Sequence, residues 1–337
     1  MGPKKAPEPA GHAAMSPPAS GAGLPSEFRF IRRHFRALAG EGALGLTDDA
    51  ALVHPPEGRE LVIAVDTMVE SVHFLPDDPP DTVGRKLLRC NLSDLAAMDA
   101  TPLGYLLSLT RPQSRDEDWF AAFAAGLHDD QARYGLTLLG GDTTATHGPL
   151  VLSLTILGHV RPGGALRRSG ARDGDDVWVT GTIGDGALGL RVLRGELTDA
   201  SGFLARRYRL PEPRLGLELG GIASAAMDVS DGLVQDLGHL ARESGLGAWL
   251  DASCVPLSDA ARQAGPAWLA TCLTGGDDYE LLLAVPPERE EALRHAAARG
   301  GVPVTRIGRF GRALQGVEVR DGAGGVLALD RTGWSHL

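Results

Sequence analysis

The sequence predicts a two-domain α/β (α+β) protein, and three observations carry that prediction. Apolar runs with strand spacing alternate with stretches of helical spacing through both halves of the chain. A stretch rich in Gly, Arg and Pro, Arg161–Asp175, separates the halves and sets a boundary between residues 25–160 and 161–337. The length, 337 residues with 43% hydrophobic side chains, suffices for two cores. Gly and Pro together make up about one residue in five, but 23% charged residues is ordinary globular usage and argues against low complexity. Aromatics are only 5%, so the cores must be built mainly from Ala, Leu and Val.

Residues 1–24 are expected to form a disordered tail, with five prolines before residue 20 and no periodicity. Phe28, Ile31, Phe35 and Leu38 then have helical spacing, with Ser26 as the expected N-cap. Leu61–Val65 is a strand ending at Asp66. Val83, Leu87, Leu88, Leu92, Leu95 and Ala96 form the apolar stripe of a helix over 82–98. A strand at Tyr105–Leu109, a helix over 116–134 and a strand at Thr137–Leu139 follow, the last running into Gly140-Gly141-Asp142. Leu150–His159 alternates as a further strand. In the second half, strand Val177–Thr180 leads through a Gly-rich turn to a helix near 186–194. A helix at 231–244, strands at Ala248–Leu250 and Leu281–Val285, a helix at 287–299 and two C-terminal strands complete the pattern.

Charge and cysteine usage exclude several classes. The chain carries 33 basic and 43 acidic residues, a net −10, which argues against nucleic acid and anionic membrane as partners. Cys90, Cys254 and Cys272 lie far apart with no CxxC pair, which suits a reducing compartment. No apolar run is long enough to span a bilayer, and no hydrophobic segment follows the basic N-terminal residues. A cytoplasmic location is expected.

The chemistry resides in acidic turns at apparent strand ends. These are Thr47-Asp48-Asp49, Val65-Asp66-Thr67, Asn91-Leu92-Ser93-Asp94, Gly140-Gly141-Asp142-Thr143, Asp228-Val229-Ser230-Asp231-Gly232 and Gly275-Gly276-Asp277-Asp278-Tyr279-Glu280. A single Asp beside Gly is most simply a turn or helix cap. Six such turns, if they converge, repel one another unless hard cations intervene. Mg²⁺ takes one or two carboxylates and completes its shell with water and phosphate oxygens. The pattern therefore points to a nucleotide-phosphate site with several Mg²⁺ ions. Gly184-Asp185-Gly186-Ala187-Leu188-Gly189 matches the dinucleotide fingerprint, but no acid follows at a strand end about 20 residues on, and hydride transfer leaves the acidic turns without a role. Neither a P-loop nor the protein-kinase signatures are present.

Taken in order, Asp48-Asp49-Ala50, Asp66 through His73-Phe74, Asn91 through Met98, Gly140 through Thr144, Val179 through Gly186, Asp228 through Leu233 and Gly275 through Glu280 resemble the thiamine-monophosphate kinase family. The resemblance runs from about residue 27 to the C-terminus. It implies the aminoimidazole-ribonucleotide synthetase-like fold. There an N-terminal ATP- and Mg²⁺-binding domain pairs in a homodimer to form a β-barrel, and a C-terminal α/β domain packs against it. It also implies direct in-line transfer of the ATP γ-phosphate to thiamine monophosphate, giving thiamine diphosphate, the last step in making that cofactor, without a phosphoenzyme. Carried over by position, Asp49, Asp66, Asp94, Asp142, Asp228 and Asp231 are implied Mg²⁺ ligands. Gly141, Asp142, Arg168 and Ser230 are implied ATP contacts, and His73, Asp278 and Trp334 line the implied acceptor site. Simpler readings stand beside three of these: His73 as a packed surface histidine, Trp334 as a terminal anchor, Arg168 as half of a solvated pair with Arg167.

The sequence departs from the family pattern at three places: Thr47 replaces a glycine, Ala64-Val65 replaces hydroxyl residues before Asp66, and Asp99 replaces the glycine that ends the helix over 82–98. Two alternatives remain at this level. One is another ATP-using member of the superfamily, although no Cys precedes Cys90 where selenophosphate synthetase carries its reactive residue. The other is a nucleotide-binding protein of the same fold without turnover.

Overall fold

The computed structural model describes residues 25–335, so the tail predicted over residues 1–24 lies outside the described residues. Two sheets, one from each half of the chain, are bridged by one long helix. The first sheet comprises β1 (Glu60–Val69), β2 (Thr101–Pro112), β3 (Thr137–Thr146) and β4 (Val151–Val160), in the order β1-β4-β2-β3. Only β2 and β3 run parallel. Their crossover helix, α3 (Glu117–Tyr134), starts where the Asp116 side chain accepts the Trp119 N–H at 2.8 Å and stops at left-handed Gly135. With α2 (Pro80–Ala97) it covers one face of the sheet, and Leu87, Leu88, Leu92, Phe120, Phe123, Leu152, Leu154 and Ile156 fill the core between them.

α1 (Ser26–His34) starts one residue earlier than expected, with Pro25 in the cap position and Ser26 making no capping bond. The segment Gly140-Gly141-Asp142 is not a turn. It lies inside β3, where a bulge opposite Tyr105 and Leu106 carries the strand on to Thr146. A side chain at Gly141 would put its Cβ 1.7 Å from the Leu107 carbonyl oxygen, so that approach requires glycine.

The second sheet holds β5 (Asp176–Thr180), β6 (Ala225–Asp228), β7 (Gly247–Asp251), β8 (Leu281–Val285), β9 (Val304–Gly311) and β10 (Val317–Arg320), in the order β10-β7-β9-β5-β8-β6. Helices α4 (Asp185–Leu193), α5 (Phe203–Arg209), α6 (Leu233–Glu243), α7 (Asp259–Ala264), α8 (Leu269–Thr274) and α9 (Glu290–Arg299) are interspersed. The two C-terminal strands are not neighbours, since β7 lies between β10 and β9.

Thirteen of the 18 residues of α2 are buried, because the helix is shared. Ala96 and Ala97 join the core of the second sheet with Trp178, Leu281 and Leu283. The helix ends at Asp99, which adopts the left-handed conformation (φ 56°) otherwise typical of glycine. The Asp99 carboxylate accepts the Gly220 N–H at 2.9 Å, which explains how a non-glycine residue is held there. Among the described residues no helix is long and apolar enough to cross a membrane.

Candidate active site

The C-terminal ends of β1 and β6, the middle of α2 and the start of α6 converge on a cleft of about 440 Å³ between the two sheets. One wall is acidic. Asp66 leaves β1 on the helix-covered face, its N–H bonded to Asn91 Oδ1 of α2 at 3.2 Å. Asp94 stands one turn further along α2, Asp228 ends β6, and Asp231 follows it in the turn before α6. The Ser93 hydroxyl donates to Asp228 Oδ2 at 2.8 Å.

Burial and mutual repulsion hold Asp66, Asp94 and Asp228 above the ordinary carboxylate range. Burial, then Asp228 and Asp66, push Asp94 up, against the pull of Arg168. Burial and Asp66 push Asp228 up despite the Ser93 bond, and burial and Asp231 push Asp66 up. Arg168 and Ser230 line the same cleft. The turn carrying Ser230 and Asp231 is fixed from behind by Asp236, whose Oδ2 accepts the N–H groups of Ser230, Asp231 and Gly232, each at 3.1 Å.

His73 and Trp334 also line the cleft. His73 Nδ1 accepts the Val69 N–H at 3.0 Å. The Trp334 N–H donates to the Asp231 carbonyl at 2.9 Å, and the Gln235 amide donates to the Trp334 carbonyl at 2.6 Å. This C-terminal strap seats the indole beside the acidic turn.

Asp278 does not face the cleft; its neighbour Asp277 does. Asp277 and Tyr279 both adopt positive φ (72° and 53°), and successive side chains of this extended turn alternate. Asp277 and Tyr279 therefore point into the cleft, while Asp278 and Glu280 point into the protein. The Asp278 carboxylate accepts the N–H groups of Gly184 at 2.7 Å and Gly186 at 3.0 Å. This also disposes of the dinucleotide fingerprint: the protein's own carboxylate occupies the helix N-terminus where a pyrophosphate sits in that motif. A Cβ at Gly184 would meet Cys272 and one at Gly186 the Asp277 carbonyl, so both glycines serve packing.

Two further sequence-predicted positions lie apart from the cleft. Asp49 sits in an exposed loop. Asp142 is exposed on β3, the edge opposite β1, in the row Thr67, Ser153, Ser108, Asp142. Three strand spacings, about 14 Å, separate it from β1, and it faces away from α2. Gly141 is carried with it. Thr47 makes its turn at φ −118°, with no need of glycine there.

The comparisons with known proteins come from both halves of the chain. Residues 47–160 match the AIR synthase related protein N-terminal domain and residues 172–318 its C-terminal domain. The chain is 45% identical to the thiamine-monophosphate kinase of Caulobacter vibrioides, over 94% of this chain and 93% of that protein. The chain belongs to the thiamine-monophosphate kinase family. Its fold is the mixed α/β, two-domain AIR synthase-like fold. The crystal structure of the thiamine-monophosphate kinase of Stenotrophomonas maltophilia K279a superposes with a TM-score of 0.77 at 41% identity, covering 87% of this chain and 94% of that one. AaThiL complexed with AMPPCP and TMP superposes at 0.74 and 30% identity, covering 86% and 91%.

Within this family member, sequence reasoning missed Asp277, Lys86 and Asp236. Asp277 was one residue from the position chosen. Asp236 carries a weak signal, an acid in the first turn of α6. Lys86 follows Arg85 on a helix and reads as a solvated charge, yet it is 3% exposed.

Proposed function

We propose that the chain phosphorylates thiamine monophosphate with ATP, giving thiamine diphosphate and ADP. The observation that carries this reading is the cleft of a thiamine-monophosphate kinase family member. A set of raised carboxylates shares one cleft of about 440 Å³ with His73, Trp334 and Asp277. In the reaction an oxygen of the acceptor phosphate bonds to the γ-phosphorus as the bond to the ADP oxygen breaks. No side-chain nucleophile is needed, so the protein's task is positioning and charge stabilisation.

Mg²⁺ fits the acidic wall by donor type. Among the described residues no group of three or more Asp, Glu, His or Cys side chains is set to hold a metal ion by itself. Mg²⁺ takes one or two carboxylates and completes its shell with water and phosphate oxygens. Asp66, Asp94, Asp228 and Asp231 would hold such ions. Bound there, Mg²⁺ would neutralise phosphate charge. Ala64-Val65 adds no hydroxyl ligand. Arg168 offers its guanidinium to phosphate oxygens and Ser230 borders the nucleotide. Asp277, in place of Asp278, meets the cationic thiazolium or the aminopyrimidine, and the Trp334 indole stacks on either ring.

We also propose a homodimer. The face of the first sheet away from α2 and α3 exposes Ile63 (62%), Val65 (60%), Leu61 (44%) and Leu106 (38%) in adjacent rows. A second copy of the chain covers such a face most economically. Asp142 and Gly141 lie on it, so their ATP and Mg²⁺ roles belong at that interface. Asp49 takes its role when its loop meets the bound nucleotide. Incubation with ATP, Mg²⁺ and thiamine monophosphate should yield thiamine diphosphate and ADP in equal amounts. ATP hydrolysis with no thiamine diphosphate would overturn the reading.

A further inference from the structure

Lys86 is the buried cation at the floor of the cleft. It projects from α2 of the first half, and its three contacts tie together segments from both halves. Its Nζ donates to the His73 carbonyl at 3.1 Å and lies 3.3 Å from Asp277 Oδ1. It also sits 3.7 Å above the Tyr208 ring, whose hydroxyl donates to the same His73 carbonyl at 3.3 Å. Burial, the largest single effect, depresses this ammonium's pKa, but Asp277, Tyr208 and Cys90 together outweigh it and hold Lys86 above the ordinary lysine value, so it stays charged.

We infer that Lys86 is a positioning residue for the acceptor substrate, fixing Asp277 and the His73 loop against each other at the floor of the cleft. The inference rests on the reading of thiamine monophosphate as acceptor. Asp277 holds a left-handed backbone and a half-exposed side chain, so it depends on a fixed partner to present its second oxygen to a cationic ring. His73 is in turn placed by its carbonyl, which accepts from Lys86 and Tyr208. Both direct polar partners of Lys86, Asp277 and the His73 carbonyl, belong to the proposed acceptor side.

The test is steady-state kinetics on Lys86→Met, varying each substrate in turn, with melting temperature measured in parallel. The KM for thiamine monophosphate should rise about 10- to 100-fold as two part-buried acceptors lose a charged donor, while the KM for ATP changes less than about twofold. In a double-mutant cycle, Lys86→Met should add little to Asp277→Asn, because one acts through the other. Tyr208→Phe removes only the second donor to the His73 carbonyl, so it serves if Lys86→Met does not fold. It should raise the acceptor KM about 2- to 5-fold and leave that for ATP unchanged. An equal rise in both KM values, or no change in the acceptor KM in any folded variant, overturns the inference while wild-type turnover stands. Wild-type protein that forms no thiamine diphosphate sinks the functional reading and this inference together.

Discussion

The cleft and the layer behind it treat their carboxylates in different ways. Behind the cleft every acid has an internal partner. Glu280, fully buried, bonds to Arg207, Arg214 and Thr180. Asp130 takes Arg89 at 2.5 Å and Arg85 at 3.1 Å, and Asp278 takes two backbone N–H groups. In the cleft, Asp66, Asp94 and Asp228 press on one another, and Arg168 opposes Asp94 and Asp228 without cancelling the repulsion. Partnered carboxylates hold the fold together, whereas these are left short of positive charge that a ligand has to supply. The same residue type thus does two jobs, and the supply of partners tells them apart.

The largest test of this contrast is Asp94→Asn. Removing one carboxylate from the repelling set should leave the metal-free protein as stable as wild type or more so. Turnover should fall about 10²- to 10³-fold, the usual loss when a group stabilising developing charge is removed. Near-normal turnover in saturating Mg²⁺ would show that the acidic wall is not where phosphate charge is neutralised.

Glu280→Gln is the mirror experiment. It strands Arg207 and Arg214 in a buried site, and Nη1 of Arg207 already has no hydrogen-bond partner. Breaking one side of a buried ion pair costs about 3–5 kcal/mol, so denaturant unfolding should show a loss of that order. A loss below about 1 kcal/mol would mean that water replaces the carboxylate easily and that this layer is not structural.

How far the sequence could reveal this contrast depended on the residue. Strands such as Val151–Val160 announce themselves by alternation, and of the acidic motifs those at Asp66, Asp94, Asp228 and Asp231 meet in the cleft while Asp49 and Asp142 do not. What stayed hidden was which side of a turn each acid faces. Asp277 and Asp278 are adjacent and chemically identical, and only the positive φ at Asp277 and Tyr279 sends one to solvent and the other to the α4 N-terminus. Gly140-Gly141-Asp142 has the composition of a turn, and pairing with β2 overrides it. The seven-residue α5, too short to show a period, places Arg207, Tyr208 and Arg209 between the halves through tertiary contacts alone.

The smallest expected effect is a pH dependence of stability from the cleft carboxylates and Asp236 behind them. Burial and neighbouring acids push Asp94 and Asp236 up to about 8 and Asp228 up to about 6, from an ordinary Asp value near 3.8. A carboxyl raised in the folded state binds more protons there than in the unfolded chain between those values. Its contribution to stability is therefore present near pH 4 and lost as pH rises through 6 to 8. Metal-free protein should melt a few degrees lower at pH 8.5 than at pH 5.5. Mg²⁺ binds only the folded, ionised set, so it should restore most of the loss at pH 8.5 and little at pH 5.5. Asp94→Asn should flatten the slope by removing one of the titrating groups. Thermal melts of both proteins at the two pH values, with and without Mg²⁺, decide it. A Mg²⁺ effect equal at both pH values would mean that the cleft carboxylates are already ionised at pH 5.5.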